Sequence, residues 1–207
     1  MMGLLQRRYH WLFATLYDTL MAPAERQALA ALRASLLRNV QGQVLEIGVG
    51  TGANLAFYAE GVRLIAVDPN PWMLVQAQQR AFTVPAVVVP VQGHAEGLPV
   101  ADGACQAVVS TFVLCSVRDL HQAIAELWRV IQPGGQALLL EHIRSDNPYW
   151  YALQRAWNPF QRVFGDGCCL TRDTLDVLQA QGFVLQHVQP LAGGPFPLRM
   201  VQAIRPA

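Results

Sequence analysis

Residues 44–52 read VLEIGVGTG, and the reading of this stretch decides the fold. Val44 to Ile47 is a short apolar run, the pattern of a strand buried on both faces. Gly48, Gly50 and Gly52 follow on alternate positions. Glycines there let the backbone turn tightly and let a ligand come close to it. About 20 residues further on, a second apolar run ends in Asp68, followed by Pro69, Asn70 and Pro71. A carboxylate at that spacing can accept hydrogen bonds from both hydroxyls of a ribose. A glycine-rich turn, or an acid at a helix start, explains each feature singly but not their spacing. Gly48 to Ala53 also satisfies the permissive G-x-G-x-x-[GA] fingerprint, so a nicotinamide or flavin ligand stays open at this point.

Working outward, apolar runs alternate with helix-patterned segments, which predicts an α/β fold with a mostly parallel sheet. Helices are expected at Ala24 to Leu37, from Asn54 to Ala59, and over Pro71 to Arg80, Leu120 to Ile131 and Thr174 to Gln181. Strands are expected at Arg63 to Val67, Ala86 to Val91, Ala107 to Val113 and Gln136 to Glu141. A terminal pair follows, near Phe183 to Val188 and Arg199 to Ile204. Right-handed crossovers then give a doubly wound, seven-stranded sheet with helices on both faces and one antiparallel C-terminal strand. Ligands of such sheets bind beyond the carboxyl ends of the strands.

The 207 residues fit one domain. Its expected parts are an N-terminal helical cap (1–40), a ligand-binding core (41–144), an insert (145–170) and a C-terminal helix with a strand pair (171–207). Hydrophobic residues make up 53%, charged ones 14%, and the net charge is +1, which argues against disorder and against a nucleic-acid partner. The cysteines at 105, 115, 168 and 169 lack Cys-x-x-Cys spacing, so no metal site is expected, and free thiols in a cytoplasmic setting are. Tyr9, Leu12, Phe13, Leu16 and Leu20 recur at helical spacing. Asp18 interrupts this segment, which predicts an amphipathic helix packed on the domain rather than a transmembrane span, with peripheral membrane contact left open.

Three features turn the reading away from a dinucleotide. Glu46 sets a negative charge beside the turn, unfavourable to a pyrophosphate and tolerable for a ligand bearing an ammonium and a sulfonium. Gly93-His94-Ala95-Glu96 follows the third strand. Leu127 to Gly135, LWRVIQPGG, delivers the chain into the fifth. VLEIGVGTG, IAVDPNPWM, GHAEGLPVADGACQAVV and ELWRVIQPGG together resemble, in order, the motifs of class I S-adenosylmethionine-dependent methyltransferases of the methyltransferase type 11 kind. The resemblance implies a Rossmann-like fold and S-adenosylmethionine as cofactor, released as S-adenosylhomocysteine. It implies that Gly48 and Gly50 lie under the methionine part, that Asp68 holds the ribose, and that Glu46, Val49 and Asn54 are among the cofactor-binding residues. Pro69, Asn70 and Met73 would border the adenine, and Gly93, His94, Ala95 and Glu96 would face its edge. Thr111, Phe112 and Ser116 would line the site beneath the sulfonium, and Tyr17-Asp18 resembles the pair that covers the cofactor in such enzymes. His94 stands where the family commonly has Asp, and Cys105-Gln106 where it has Phe-Asp.

The second half bears on the methyl acceptor. Leu114-Cys115-Ser116-Val117, Glu141-His142 and GDGCCLTRDT resemble the alkyl thiol S-methyltransferases of the methyltransferase-like group, whose animal members carry an N-terminal membrane anchor not expected here. The resemblance implies transfer of a methyl group to a small thiol. The alternatives are N-methylation of a phospholipid headgroup or other small amine, and a non-catalytic S-adenosylmethionine-binding protein. Tyr149, Trp150, Tyr151, Trp157, Phe160 and Phe164 fall in the insert. They form either a lid over an apolar substrate, with Cys168 as its anchor, or the core face of an ordinary helix. A thiol with a pKa near ~8.5 is only partly ionised at neutral pH. His142 is the candidate catalytic base, the other reading being a histidine that only hydrogen-bonds the lid.

Overall fold

The computed structural model describes residues 4–207, and the side chains of these except 4–6 and 164. The chain forms two compact units, Met1–Gly93 and His94–Ala207. Its sheet has seven strands.

The first unit opens with α1 (Leu4–Ala24), a π-helical turn (Glu25–Leu29) and α2 (Ala30–Leu37). Strands β1 (Gln43–Ile47), β2 (Arg63–Asp68) and β3 (Val87–Gln92) follow, with α3 (Pro71–Ala81) between the last two. They are ordered β3-β2-β1 and run parallel, with Val44 opposite Leu64 and Leu64 opposite Val88. Val44, Leu45 and Ile47 are all buried, as a strand covered on both faces requires. Asn70 caps α3 by accepting from the Trp72 N–H at 3.0 Å, and Pro71 opens its first turn.

The second unit holds β4 (Cys105–Thr111), α4 (Leu120–Val130), β5 (Ile131–His142), α5 (Pro148–Phe164), α6 (Thr174–Gln181), β6 (Val184–Ala192) and β7 (Leu198–Ile204). Here the order is β4-β5-β7-β6; β4 and β5 are parallel, and β7 is antiparallel to both of its neighbours. Val108 and Val109 of β4, Leu139 and Leu140 of β5, and Ile124 and Leu127 of α4 are all buried. The strands at the two ends of the order, β3 and β6, carry Pro90 and Pro190. Proline, which has no N–H for a ladder, is tolerated at such edges.

Two segments depart from expectation. Asn54 to Ala59 makes only a 3-10 turn, Leu55–Phe57, because Tyr58 leaves helical geometry (ψ 134°) to bury its ring. The apolar stripe of α1 is also not what packs. Leu12, Leu16 and Leu20 are exposed, the last by 69%. The helix docks through Ala14, with Gln76 donating to the Ala14 carbonyl at 2.8 Å and Asn70 to that of His10 at 3.2 Å. No helix among the described residues is long and apolar enough to cross a membrane.

Candidate functional site

In the first unit the chemistry gathers where β1 and β2 end. Gly48, Gly50 and Gly52 have φ of 59°, 56° and 89°, a region that side chains disfavour. Asp68 clasps this turn to its own strand end. Its Oδ2 accepts from the Gly50 N–H and its Oδ1 from the Asn70 N–H, both at 2.8 Å. A Cβ built on Gly50 would meet nothing nearer than the Gly48 carbonyl oxygen at 4.0 Å. The turn therefore presents bare backbone to open space, as close approach of a ligand requires. At Gly52 the constraint is packing instead, since a Cβ would lie 2.8 Å from Leu55.

Helix α1 is pinned to the same turn. Thr51 donates to Asp18 at 2.7 Å, and Arg80 pairs with Asp18 and donates to Thr51 at 3.2 Å. Tyr17, one residue earlier, is half-buried, and its phenol is pushed above the ordinary value chiefly by burial. Beneath the turn lies a buried network that sequence reading missed in part. Glu46 accepts from Asn54 at 2.9 Å and from Tyr58 at 2.8 Å. Asn54 accepts in turn from Arg33 at 2.8 Å, and Arg33 pairs with Glu25 at 2.9 Å. Burial pushes Glu46 up to about 7, although both of its hydrogen bonds oppose the shift. Arg33 and Tyr58 lie 21 and 4 positions from Asn54 with no motif to join them, so only folding reveals the set. Val49, Asn70 and Met73 are buried, Pro69 is exposed, and the Gly93 N–H reaches the Asp68 carbonyl at 3.2 Å.

In the second unit, two chain turns converge on the end of β5. After β4 the chain turns sharply at Phe112, whose φ of 61° is strained for a residue with a side chain. Glu141 holds that turn. One of its oxygens accepts from the Ser110 hydroxyl at 2.6 Å, the Val113 N–H at 2.9 Å and the Leu114 N–H at 3.0 Å; the other accepts from the Cys115 N–H at 3.4 Å. Burial raises its carboxyl above the ordinary range against the pull of these donors. Next along β5 stands His142, its ring centre 5.2 Å from that of Phe112. The second turn, Gly165 to Cys169, follows α5. There the Gly167 N–H bonds the Arg162 carbonyl at 2.9 Å and the Cys169 N–H the Cys115 carbonyl at 2.8 Å. A Cβ on Gly167 (φ 90°) would sit 3.1 Å from the Ser116 carbonyl oxygen, so glycine allows the two turns to touch.

This convergence brings one ligand-capable atom each of Cys115, His142 and Cys168 within 4.8 Å of one another. The Cys115 thiol hydrogen-bonds Cys168, which pulls the Cys168 thiol below its ordinary value against burial, with a smaller pull from His142. The same bond and burial push Cys115 up. Nδ1 of His142 is buried and has no hydrogen-bond partner. Nothing in the linear spacing of these three announces the cluster.

Helix α5 is turned inside out. Gln154 is fully buried, donating to the Ile143 carbonyl at 3.2 Å and accepting from the Ser145 N–H at 2.9 Å. Asn158 accepts from the Leu170 N–H at 2.9 Å. Trp150, Trp157 and Phe160 face outward, Trp157 exposed by 49% and Phe160 by 57%. The side chain of Phe164 lies outside the described ones. Of the remaining expected residues, Thr111 and Ala95 are buried, Ser116 is half-buried and His94 is exposed. Glu96 accepts from the Arg118 and Asp119 N–H groups at 2.7 and 3.3 Å.

Residues 45–139 match the family model described as a methyltransferase domain. The chain is 34% identical to human thiol S-methyltransferase TMT1A over 186 residues, 86% of this chain and 75% of that protein. It is 37% identical to human thiol S-methyltransferase TMT1B over 155 residues, 71% of this chain and 63% of that protein. The solved structure of a SAM-dependent methyltransferase from Thermotoga maritima covers 94% of this chain and 97% of its own, with a TM-score of 0.70 at 20% identity, a likeness of fold.

Proposed function

We propose that this chain, which belongs to the methyltransferase family that includes the thiol S-methyltransferases, moves a methyl group onto the sulfur of a small, apolar thiol. It is an S-adenosylmethionine-dependent methyltransferase of Rossmann-like fold. The observation that carries the donor end is the clasp of Asp68 on Gly50 and Asn70, with open space before Gly50. A turn of bare backbone suits a ligand's amino-acid portion, and the carboxylate beside it suits a ribose. The donor supplies an already activated methyl group on a sulfonium.

What remains for the protein is to bind, to orient and to deal with one proton. Asp68 and the glycine turn bind. Tyr17 and Asp18 belong to the helix pinned over that turn by Thr51 and Arg80. Alignment of acceptor sulfur, methyl carbon and leaving sulfur then supplies much of the acceleration. A thiol with a pKa near ~8.5 must be brought toward thiolate. We assign that task to His142, at the end of β5 beside Phe112 and Cys168. The exposed aromatic face of α5, with Trp150, Trp157 and Phe160, supports an apolar acceptor that this helix helps to cover. The cysteines, all free and three of them buried, support a reducing, cytoplasmic compartment.

The test has two stages. Calorimetry with S-adenosylmethionine and S-adenosylhomocysteine should give saturable heat, and its absence in folded protein overturns the reading. A labelled methyl donor should then mark soluble alkyl or aryl thiols without added membrane. Label that enters only amine headgroups of vesicles overturns the thiol assignment. His142→Ala should leave donor binding intact and slow turnover with a shifted pH–rate profile; an unshifted profile removes His142 from the proton step.

A further inference from the structure

We propose that Cys115, His142 and Cys168 form a binding site for a thiophilic metal ion of the zinc type, with a fourth position left for the acceptor's sulfur. The inference rests on the thiol-methylating reading and says how the acceptor is activated: with the ion bound, His142 serves the proton step as a ligand to the metal and no longer as the base itself. Three observations carry it. The three side chains each bring one ligand atom within 4.8 Å of the others. Four-coordinate zinc, with sulfur at about 2.3 Å and nitrogen at about 2.0 Å, spaces its ligands about 3.3–3.8 Å apart, so modest side-chain rotation closes the site. Two sulfurs and an imidazole are the donor set of a borderline-soft ion, and three protein ligands with one open place mark catalytic rather than structural zinc.

The second observation is an orphaned polar atom. Nδ1 of His142 is buried without a hydrogen-bond partner, a costly condition that coordination through this nitrogen would relieve. The third is the scaffold. His142 is held at the end of β5, where it pairs with Leu198 of β7, and each cysteine stands on a turn held from outside itself: that of Cys115 by Glu141, and that of Cys168 by the bond from Cys169 to the Cys115 carbonyl. Gly167 lets these two turns approach to contact. Cys115 and Cys168 are buried and His142 is half-buried, so the cluster is closed on the cysteine side and accessible on the histidine side.

The chemistry balances. An acceptor R–SH entering the fourth position loses its proton to solvent and binds as thiolate. A sulfur lone pair forms the new S–CH3 bond as the S–CH3 bond of the sulfonium breaks. The thioether product, a poor ligand beside a thiolate, leaves. Net, one thiol and one sulfonium give two thioethers and a proton, with no change of oxidation state at the metal.

The test uses the whole chain, stripped with chelator under reductant and titrated with Co2+ as probe, then Zn2+. We expect one equivalent of Co2+ with a sulfur-to-metal charge-transfer band, displaced by Zn2+. Cys168→Ser and His142→Gln should each weaken binding by about tenfold or more, whereas Cys169→Ser should not. Benzyl thiol added to the Co2+ form should shift the band. No band, or a band unaffected by both ligand variants, overturns the site. A band that thiol leaves unmoved overturns the acceptor's place in it. Calorimetry with S-adenosylmethionine on the same stripped protein separates the two readings. Donor binding without a cobalt band sinks the metal and leaves the methyltransferase reading intact; no donor binding sinks the latter.

Discussion

The turn after β1 and the turn after β4 use one device for different ends. In each, a carboxylate from another strand end collects the backbone N–H groups of the turn: Asp68 for Gly50, Glu141 for Val113, Leu114 and Cys115. The first turn is made of glycines, and its exposed side is bare backbone. The second is made of residues with side chains, forced through a positive φ at Phe112. Glu141 is therefore spent on structure, with four donors and 1% exposure. Asp68, at 6%, clasps the Gly50 and Asn70 N–H groups and sits beside open space. Where a turn must admit a ligand, its side chains are deleted; where it must present functional atoms, side chains are kept and the strain is held from outside.

That contrast can be broken, beginning with the largest effect. Glu141→Ala leaves four donors without their acceptor, and each buried orphan costs ~1–3 kcal/mol before relaxation or water entry. Denaturant unfolding should register a loss of at least ~3 kcal/mol; a loss smaller than that of Asp68→Ala would reverse the roles given to the two carboxylates.

Next comes Glu46, whose carboxyl is raised by burial from the ordinary 4.5 to about 7. Its neutral form is favoured in the fold. That contribution is fully present below about pH 4.5 and is lost as pH rises to about 7, up to on the order of 3 kcal/mol. Glu46→Gln cannot ionise and should flatten stability across this window, as urea midpoints at its two ends would show. A slope that survives the substitution would place the titrating group elsewhere.

Asp68→Ala should weaken S-adenosylmethionine binding by ~1.5–3 kcal/mol, the scale of lost charge-assisted hydrogen bonds. Calorimetry measures it, and an unchanged affinity would make Asp68 as purely structural as Glu141. Smallest is Asp18→Asn. The Asp18–Arg80 pair is about two-fifths exposed on both sides. Solvent screening should hold the cost in stability below ~1 kcal/mol. A larger change in melting temperature would mean that α1 is held to the glycine turn mainly by charge.

Most strands and helices were legible in the sequence because buried strands read as apolar runs and caps have fixed chemistry, as at Asn70-Pro71 and Gly182. The exceptions share a cause. Asn54 to Ala59 has helical composition, yet Tyr58 gains more from burying its ring and reaching Glu46 than from another helical turn. The stripe of α1 predicts an inward apolar face, and the core-face reading of the α5 aromatics does the same. The structure docks these helices by amides, Gln76 and Asn70 reaching α1 and Gln154 and Asn158 lying within α5. Periodicity reports that a helix has two faces and is silent on which one the chain will cover.

By itself the sequence determined the order of strands and helices, the glycine turn and the acid that meets it. These depend on local conformation and on a spacing that one βαβ unit sets. Only the tertiary structure decided that Arg33, Asn54, Glu46 and Tyr58 share one buried network. It alone decided, too, that Cys115, His142 and Cys168 meet. Such sets join residues from separate elements, and their proximity is produced by packing, which leaves no mark on the linear spacing of the side chains it brings together.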